Sequence, residues 1–303
     1  MDDDQIRTLT SDLKALLRRF ERYVAGVGTQ VPVVAPPRVV YHYTSADGFS
    51  GILTQRLLRA TNFSFMNDPS EVGYGRSVVE QVLKAHKSDP HAASSHLARR
   101  ALANVRAQIL AEMYVCCFTT LSDDISQWRA YGSGAAARYC LGFDTEILSK
   151  LVAKHPDTVF DRVVYDERAQ AGRVTAVLIK AMEFAEMEKL SPAEIEPVAE
   201  VLASYLVRLV CLLKSPAYHA EEEWRIVTVR AQANTAEIAF DASRGTIKPY
   251  WRLQLANRWR LPISSVRVLA PSRPQAAVKA ADLMLRSVGI PVQAQYSSVP
   301  YAE

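Results

Sequence analysis

Apolar residues recur at three- and four-residue spacing over 5–25, at Ile6, Leu9, Leu13, Leu16, Phe20 and Tyr23, which predicts an amphipathic helix. Alone it cannot bury that stripe, so it packs on the body or on a second subunit as a homodimer contact. Pro32, Pro36 and Pro37 stop the helix and stiffen the connector. Val39-Val40-Tyr41-His42-Tyr43-Thr44 then reads as one buried strand. Side chains alternate along a strand, so Val40, His42 and Thr44 share one face and Val39, Tyr41 and Tyr43 the other. Ser45-Ala46-Asp47 offers an N-cap, and Phe49, Ile52, Leu53 and Leu57 recur at helical spacing. A second strand follows, and the polar cluster Asn67-Asp68-Pro69-Ser70-Glu71 closes the unit.

Further along, 71–87 reads as helix and 92–112 contains a longer one. The run 113–120 is an apolar strand leading into Leu121-Ser122-Asp123-Asp124, a helix start. A short helix over 125–131 sets Trp128 and Tyr131 three residues apart on one face. Strands are expected near 139–143, 159–165, 221–229, 238–240, 251–255, 266–269 and 292–296. Residues 168–213 read as two helices split at Ser191-Pro192, and 275–288 as a last helix. Strands and helices mix without regular βαβ alternation, so the fold class is α+β, with mainly antiparallel sheets and packed helices. The expected organisation is an N-terminal helix over 1–30 and one domain over 31–303 carrying a helical insertion at about 168–213.

Composition narrows the class. Of 303 residues, 49% are apolar and 22% charged, which supports a sizeable core and excludes a disordered or fibrous chain. The longest apolar run, 201–213, is broken by Arg208 and is too short to span a bilayer. The opening Met1-Asp2-Asp3-Asp4 is the reverse of a basic leader, and the four cysteines lack CxxC spacing, so the expected compartment is the cytoplasm, with reduced thiols. A net charge of +4 permits an anionic ligand or nucleic acid without demanding either.

Three polar-aromatic clusters at strand ends carry the candidate chemistry. Glu221 and Glu223 share a strand face with Arg225. Two carboxylates entering an apolar strand suit stabilisation of a sugar cation, as glycosidic cleavage requires. The bland alternative is a solvated strand entrance with an Arg225 ion pair. His42 and Thr44 form the second cluster, or else simply bond the backbone. Trp128 and Tyr131 are either a stacking surface for a base or core aromatics. Asn67-Asp68-Pro69 is also an ordinary Asx turn. Gly132-Ser133-Gly134 is followed too soon by a strand to cradle phosphate, and no Walker loop or GxSxG elbow is present.

With these residues in view, the chain resembles a bacterial domain-of-unknown-function family, number 2971. The matching signposts are Tyr41-His42-Tyr43-Thr44-Ser45, Phe65-Met66-Asn67-Asp68-Pro69-Ser70-Glu71, Cys117-Phe118-Thr119, Leu141-Gly142-Phe143-Asp144, Glu221-x-Glu223-Trp224-Arg225 and Ser298-Val299-Pro300-Tyr301. More distantly, His-x-Thr on a first strand and a late Glu-x-Glu look like ADP-ribosyltransferase domains. That resemblance implies an ADP-ribosyltransferase-like core that consumes NAD as transferase or glycohydrolase, in the manner of a toxin or phage-defence effector. It assigns His42, Tyr43, Thr44, Asn67, Thr119, Trp128 and Tyr131 to NAD binding. It gives Glu223 the cation-stabilising role and Glu221 the steering of an acceptor, whether protein, nucleic acid or water. The alternatives are a non-enzymatic nucleotide- or nucleic-acid-binding module, and a hydrolase or nuclease using Asp68, Asp123 and Glu223 around a metal.

Overall fold

The computed structural model describes residues 3–25, 35–66, 68, 70–88, 90–108, 113–130, 136–155, 158–230, 237–242, 246–255 and 261–300. The chain divides into two compact units, each built from three separated segments. One comprises 1–35, 66–113 and 164–217, and the other 36–65, 114–163 and 218–303.

The first unit is helical. It contains α1 (Asp3–Ala25), α3 (Ser70–His86), α4 (Ala92–Gln108), α7 (Glu167–Met187) and α8 (Pro192–Val210), numbered in chain order with α2, α5 and α6 in the other unit. Helix α4 lies against α8, α3 and α7. Small residues on facing surfaces allow this: Ala98, Ala101, Ala181, Ala185, Ala199 and Ala203 are all fully buried. Gly75 marks the closest approach, because a Cβ there would stand 2.3 Å from the Val210 carbonyl oxygen. Ser191 and Glu194 form a reciprocal capping box that starts α8 where the sequence split the two helices. Buried Gln170 donates to the carbonyls of Val164 at 2.7 Å and Lys214 at 2.8 Å, and accepts from the Tyr74 hydroxyl at 2.8 Å. One amide thereby ties the first and last residues of the α7–α8 segment together. Glu80 is nearly buried among Arg106, Arg76 and Lys84, whose charges hold its carboxyl well below the usual range.

The apolar stripe of α1 is satisfied within this unit. Leu16, Phe20 and Val24 are buried, Phe20 and Tyr23 meet the ring of Phe184 at 5.2 and 5.5 Å, and Arg19 pairs with Glu188 at 2.7 Å. Of the two expected uses of that stripe, packing on the body is the one the described residues show. The helices expected as an insertion at about 168–213 are joined here by α1, α3 and α4, because their apolar faces cover one another.

The second unit is α+β. Its strands are β1 (Val39–Ser45), β2 (Leu57–Asn62), β3 (Met113–Thr119), β4 (Arg138–Asp144), β5 (Thr158–Arg162), β6 (Glu223–Val229), β7 (Ile238–Asp241), β8 (Lys248–Gln254), β9 (Ile263–Leu269) and β10 (Ala294–Tyr296). They form one sheet with the order β10-β9-β4-β1-β3-β2-β8-β7, and β6 pairs with both β3 and β5. The described ladders are antiparallel except β9–β10, which is parallel. Helices α2 (Ala46–Gln55), α5 (Ile125–Ala130), α6 (Thr145–Val152) and α9 (Pro274–Ser287) complete it. The residue pattern alone does not mark α6, although Asp144 caps it by accepting from the Ile147 amide.

The two faces of this sheet differ. The larger core gathers Val40, Phe49, Leu58, Phe118, Phe143, Trp224, Ile226 and Trp251. A smaller cluster on the other phase of β1 contains Tyr43, Trp128, Cys140 and Leu269, with Tyr41 packed against it. Gly142 lies opposite Tyr41 in the β1–β4 ladder. A Cβ at Gly142 would come within 3.1 Å of the Tyr41 ring, so the glycine lets that ring lie on the sheet.

Gly75→Ala is expected to destabilise the helical unit by about 2 kcal/mol, because the new methyl meets rigid backbone rather than a movable side chain. Denaturant unfolding of the variant should show the lowered midpoint, and an unchanged midpoint would refute the close approach.

Candidate functional site

Tyr41 faces Thr119 across the β1–β3 ladder, and cross-strand partners lie on the same face of a sheet. Cys117 is in phase with Thr119 on β3. On β6, Glu223 and Arg225 share a phase, while Trp224 and Ile226 enter the larger core on the other face. These phases converge on one cleft of about 270 Å³, part of it open to solvent, lined by Tyr41, Tyr43, Cys117, Phe118, Thr119, Gln127, Glu221 and Glu223. Every lining residue belongs to the α+β unit.

Glu223 is the buried charge of this cleft, with 7% of its surface exposed. An isolated carboxylate could not remain ionised there. Arg225, itself 1% exposed, grips it with both ends of its fork: Nε donates to Oε1 at 2.9 Å and Nη2 to Oε2 at 2.7 Å. The guanidinium also lies over the Phe63 ring, 5.6 Å from its centroid. The Cys117 thiol stands beside the same carboxylate and lines the cleft with it. Burial, reinforced by the Glu223 charge, pushes that thiol well above its ordinary range, so it stands as a protonated donor rather than a thiolate.

Glu221 reaches the cleft by a different route from the one expected. The strand begins at Glu223, and Glu221 ends a short 3₁₀ helix over Pro216–Glu221. Between them Glu222 adopts a left-handed φ of 45°, a conformation that costs a non-glycine residue roughly 1–3 kcal/mol. The end of β3 holds that kink. The Thr119 hydroxyl donates to the Glu221 carbonyl at 2.7 Å, the Thr120 amide to the Glu222 carbonyl at 3.3 Å, and the Thr120 hydroxyl to the Glu222 carboxylate. Glu222 itself is exposed and does not line the cleft.

Of the three first-strand residues the resemblance assigned, only Tyr43 lies on the face that meets the cleft. His42 and Thr44 do not line the cleft; Tyr41 and Tyr43 do. His42 donates from Nδ1 to the Cys117 carbonyl at 2.8 Å and lies 5.6 Å from the Phe118 ring. A carbonyl can only accept, so the proton is on Nδ1. Burial lowers the ring's pKa and outweighs that bond, which leaves the imidazole neutral. Thr44 faces the first turn of α2, where a Cβ on Gly48 would collide with its hydroxyl. The physical reason is parity: Tyr41 pairs with Thr119 on β3, so the cleft takes the odd residues of β1, and His42 is even.

Trp128 does not present a stacking surface. It is fully buried, meets Tyr43 edge-on at 4.7 Å, and donates from Nε1 to Asp123 at 2.8 Å. Its neighbour Gln127 lines the cleft instead, and no feature of the periodicity distinguished the two. Tyr43 is a wall rather than a polar contact. Its hydroxyl donates to the Leu121 carbonyl at 2.9 Å and accepts from the Asp124 amide at 3.0 Å, and burial raises its pKa strongly. Asn67 and Tyr131 lie outside the described residues.

Asp123 anchors the C-terminal strap behind this wall. It accepts from the Ser297 hydroxyl at 2.5 Å and from the Ser298 amide and hydroxyl at 2.8 Å each. Burial alone would raise its pKa, but these bonds and the Trp128 indole together outweigh burial and hold the carboxyl below its usual value. Asp123 is thereby a structural clasp. Among the described residues, no group of three His, Cys, Asp or Glu is placed to hold a metal ion.

Residues 127–226, about a third of the chain, match the family described as protein of unknown function (DUF2971). The matched segment contains Gln127, Glu221, Glu223 and Arg225, while the signposts between Tyr41 and Glu71 precede it. No curated protein and no solved structure matches the chain.

Because Asp123 has a depressed pKa in the folded state, its stabilisation is present above the unfolded value near 3.9 and is lost as pH falls through the folded value. Asp123→Asn should therefore cost about 2 kcal/mol near neutrality, with the gap to wild type closing below about pH 4. Thermal melts of both proteins across that range check the sign, and a gap that stays constant would refute it.

Proposed function

We propose that this chain, a DUF2971 family protein across residues 127–226, is an NAD-consuming enzyme of the ADP-ribosyltransferase type, acting as transferase or glycohydrolase. One observation carries the reading: two glutamates, Glu221 and Glu223, line a single cleft with an aromatic ring, Tyr41, and an amide, Gln127. Cleavage of the nicotinamide–ribose bond leaves positive charge on the sugar and needs a carboxylate fixed beside it. Glu223, held by Arg225, meets that requirement. Nicotinamide departs as a neutral base, taking the electron pair of the broken C–N bond. The acceptor oxygen then forms the new bond to ribose C1′, and its proton passes to Glu221. Tyr41 takes the stacking role first given to Trp128, and the Gln127 amide suits the nicotinamide carboxamide.

The 270 Å³ takes in open solvent, so the enclosed part of the cleft is well below the roughly 300 to 1,000 Å³ of ligand sites. It leaves no room for a whole dinucleotide, and only the reacting nicotinamide–ribose end is assigned to it. The adenosine end then lies outside it, and His42 has no part in holding the substrate. The bidentate Arg225 pair favours one second reading, a non-enzymatic ligand-binding module in which Glu223 is structural.

Incubation with NAD should release nicotinamide without added divalent metal. Glu223→Gln should lower the rate by roughly 10²–10³ while thermal melting shows a folded protein. Glu221→Gln should depress transfer to acceptors more than hydrolysis. His42→Gln should leave KM near wild type. Ligand binding without turnover, unaltered by Glu223→Gln, would favour the second reading.

A further inference from the structure

We propose that Arg225 is the positioning residue of the cleft, acting through Glu223 to set both its orientation and its ionised state. The inference rests on the reading of Glu223 as the cation-stabilising carboxylate. A glutamate has three side-chain torsions, and a strand-end glutamate in water samples many rotamers. Here both oxygens are fixed by one rigid planar group on the same strand, two residues away. A carboxylate offers roughly four acceptor positions, so a two-point fork does not exhaust it. The fork is itself immobilised, since Arg225 is 1% exposed and seated over Phe63. Catalytic groups need this kind of support, because a misplacement of about 1 Å can cost about 10²-fold in rate.

A purely structural ion pair would share the burial and the distances. What distinguishes the two is the place of the pair. Glu223 lines the cleft rather than the sheet interior, beside the Cys117 thiol of β3 and the Tyr41 ring of β1. Among the described residues, the titratable groups placed beside it include Arg225 on β6, Cys117 on β3, Tyr41 and Tyr43 on β1, and Glu221 on the 3₁₀ turn. The Arg225 charge favours the ionised carboxylate, while burial and Glu221 oppose it.

The test compares nicotinamide release from NAD by wild type, Arg225→Lys, Arg225→Gln and Phe63→Leu, with melts recorded for each. Lysine keeps the charge but loses the fork, so kcat should fall about 10²-fold with KM nearly unchanged and the acid limb of the pH profile in place. Glutamine loses the charge as well, so the acid limb should move to higher pH. Phe63→Leu loosens the seat of the fork without touching the pair. It should lower kcat in the same direction by a smaller factor, and it keeps the test decisive where the Arg225 variants fail to fold. Active variants with unchanged kcat and an unmoved acid limb would overturn the inference and leave the proposed activity standing. Wild-type protein that releases no nicotinamide would overturn both.

Discussion

Glu223 can stay charged inside this cleft because Arg225, two residues along the same strand, donates to it from Nε and Nη2, one edge of its guanidinium. Strand periodicity makes the arrangement local: residues i and i+2 share a face, so no other segment has to supply the counter-charge. The cost of such a pair is desolvation of both ions, and breaking it by removing one partner typically costs 3–5 kcal/mol. The cleft is therefore built around a charge that cannot be moved cheaply. The strained turn at Glu222 and the latch from Thr119 and Thr120 add a second constraint, fixing where β6 begins.

Support for this head of β6 comes from strands distant in sequence. β3 supplies Cys117 and Thr119, and β1 supplies the two tyrosines. Gly142 on β4 makes room for Tyr41. Trp128, Asp123 and the strap at Ser297 and Ser298 brace the wall behind Tyr43. Conspicuous residues of the sequence thus divide into two groups. Glu221, Glu223 and Thr119 face the cleft, whereas Trp128, Asp123, His42 and Thr44 keep the scaffold in shape.

The helical unit stands on a different principle. It is held by close approach of small residues, the apolar stripe of α1, and polar pins such as Gln170 and Glu80 that are fully partnered within it. No described helix is long and apolar enough to cross a membrane. Nothing in the composition separated these helices from the sheet, because the chain passes between the two units several times.

The sequence by itself determined the α+β class, nearly every strand and helix, and the shared face of Glu223 and Arg225. These follow from local periodicity, which acts within a few residues and leaves a visible pattern. It also determined that His42 and Thr44 point the same way, but not that they point away from Glu223. Which face of β1 meets which face of β6 depends on strand order and register, both set by contacts far apart in the chain. For the same reason the tertiary structure alone turned Trp128 inward and left Tyr41 and Gln127 lining the cleft: an aromatic on a short helix looks identical in sequence whether it fills a core or faces a ligand.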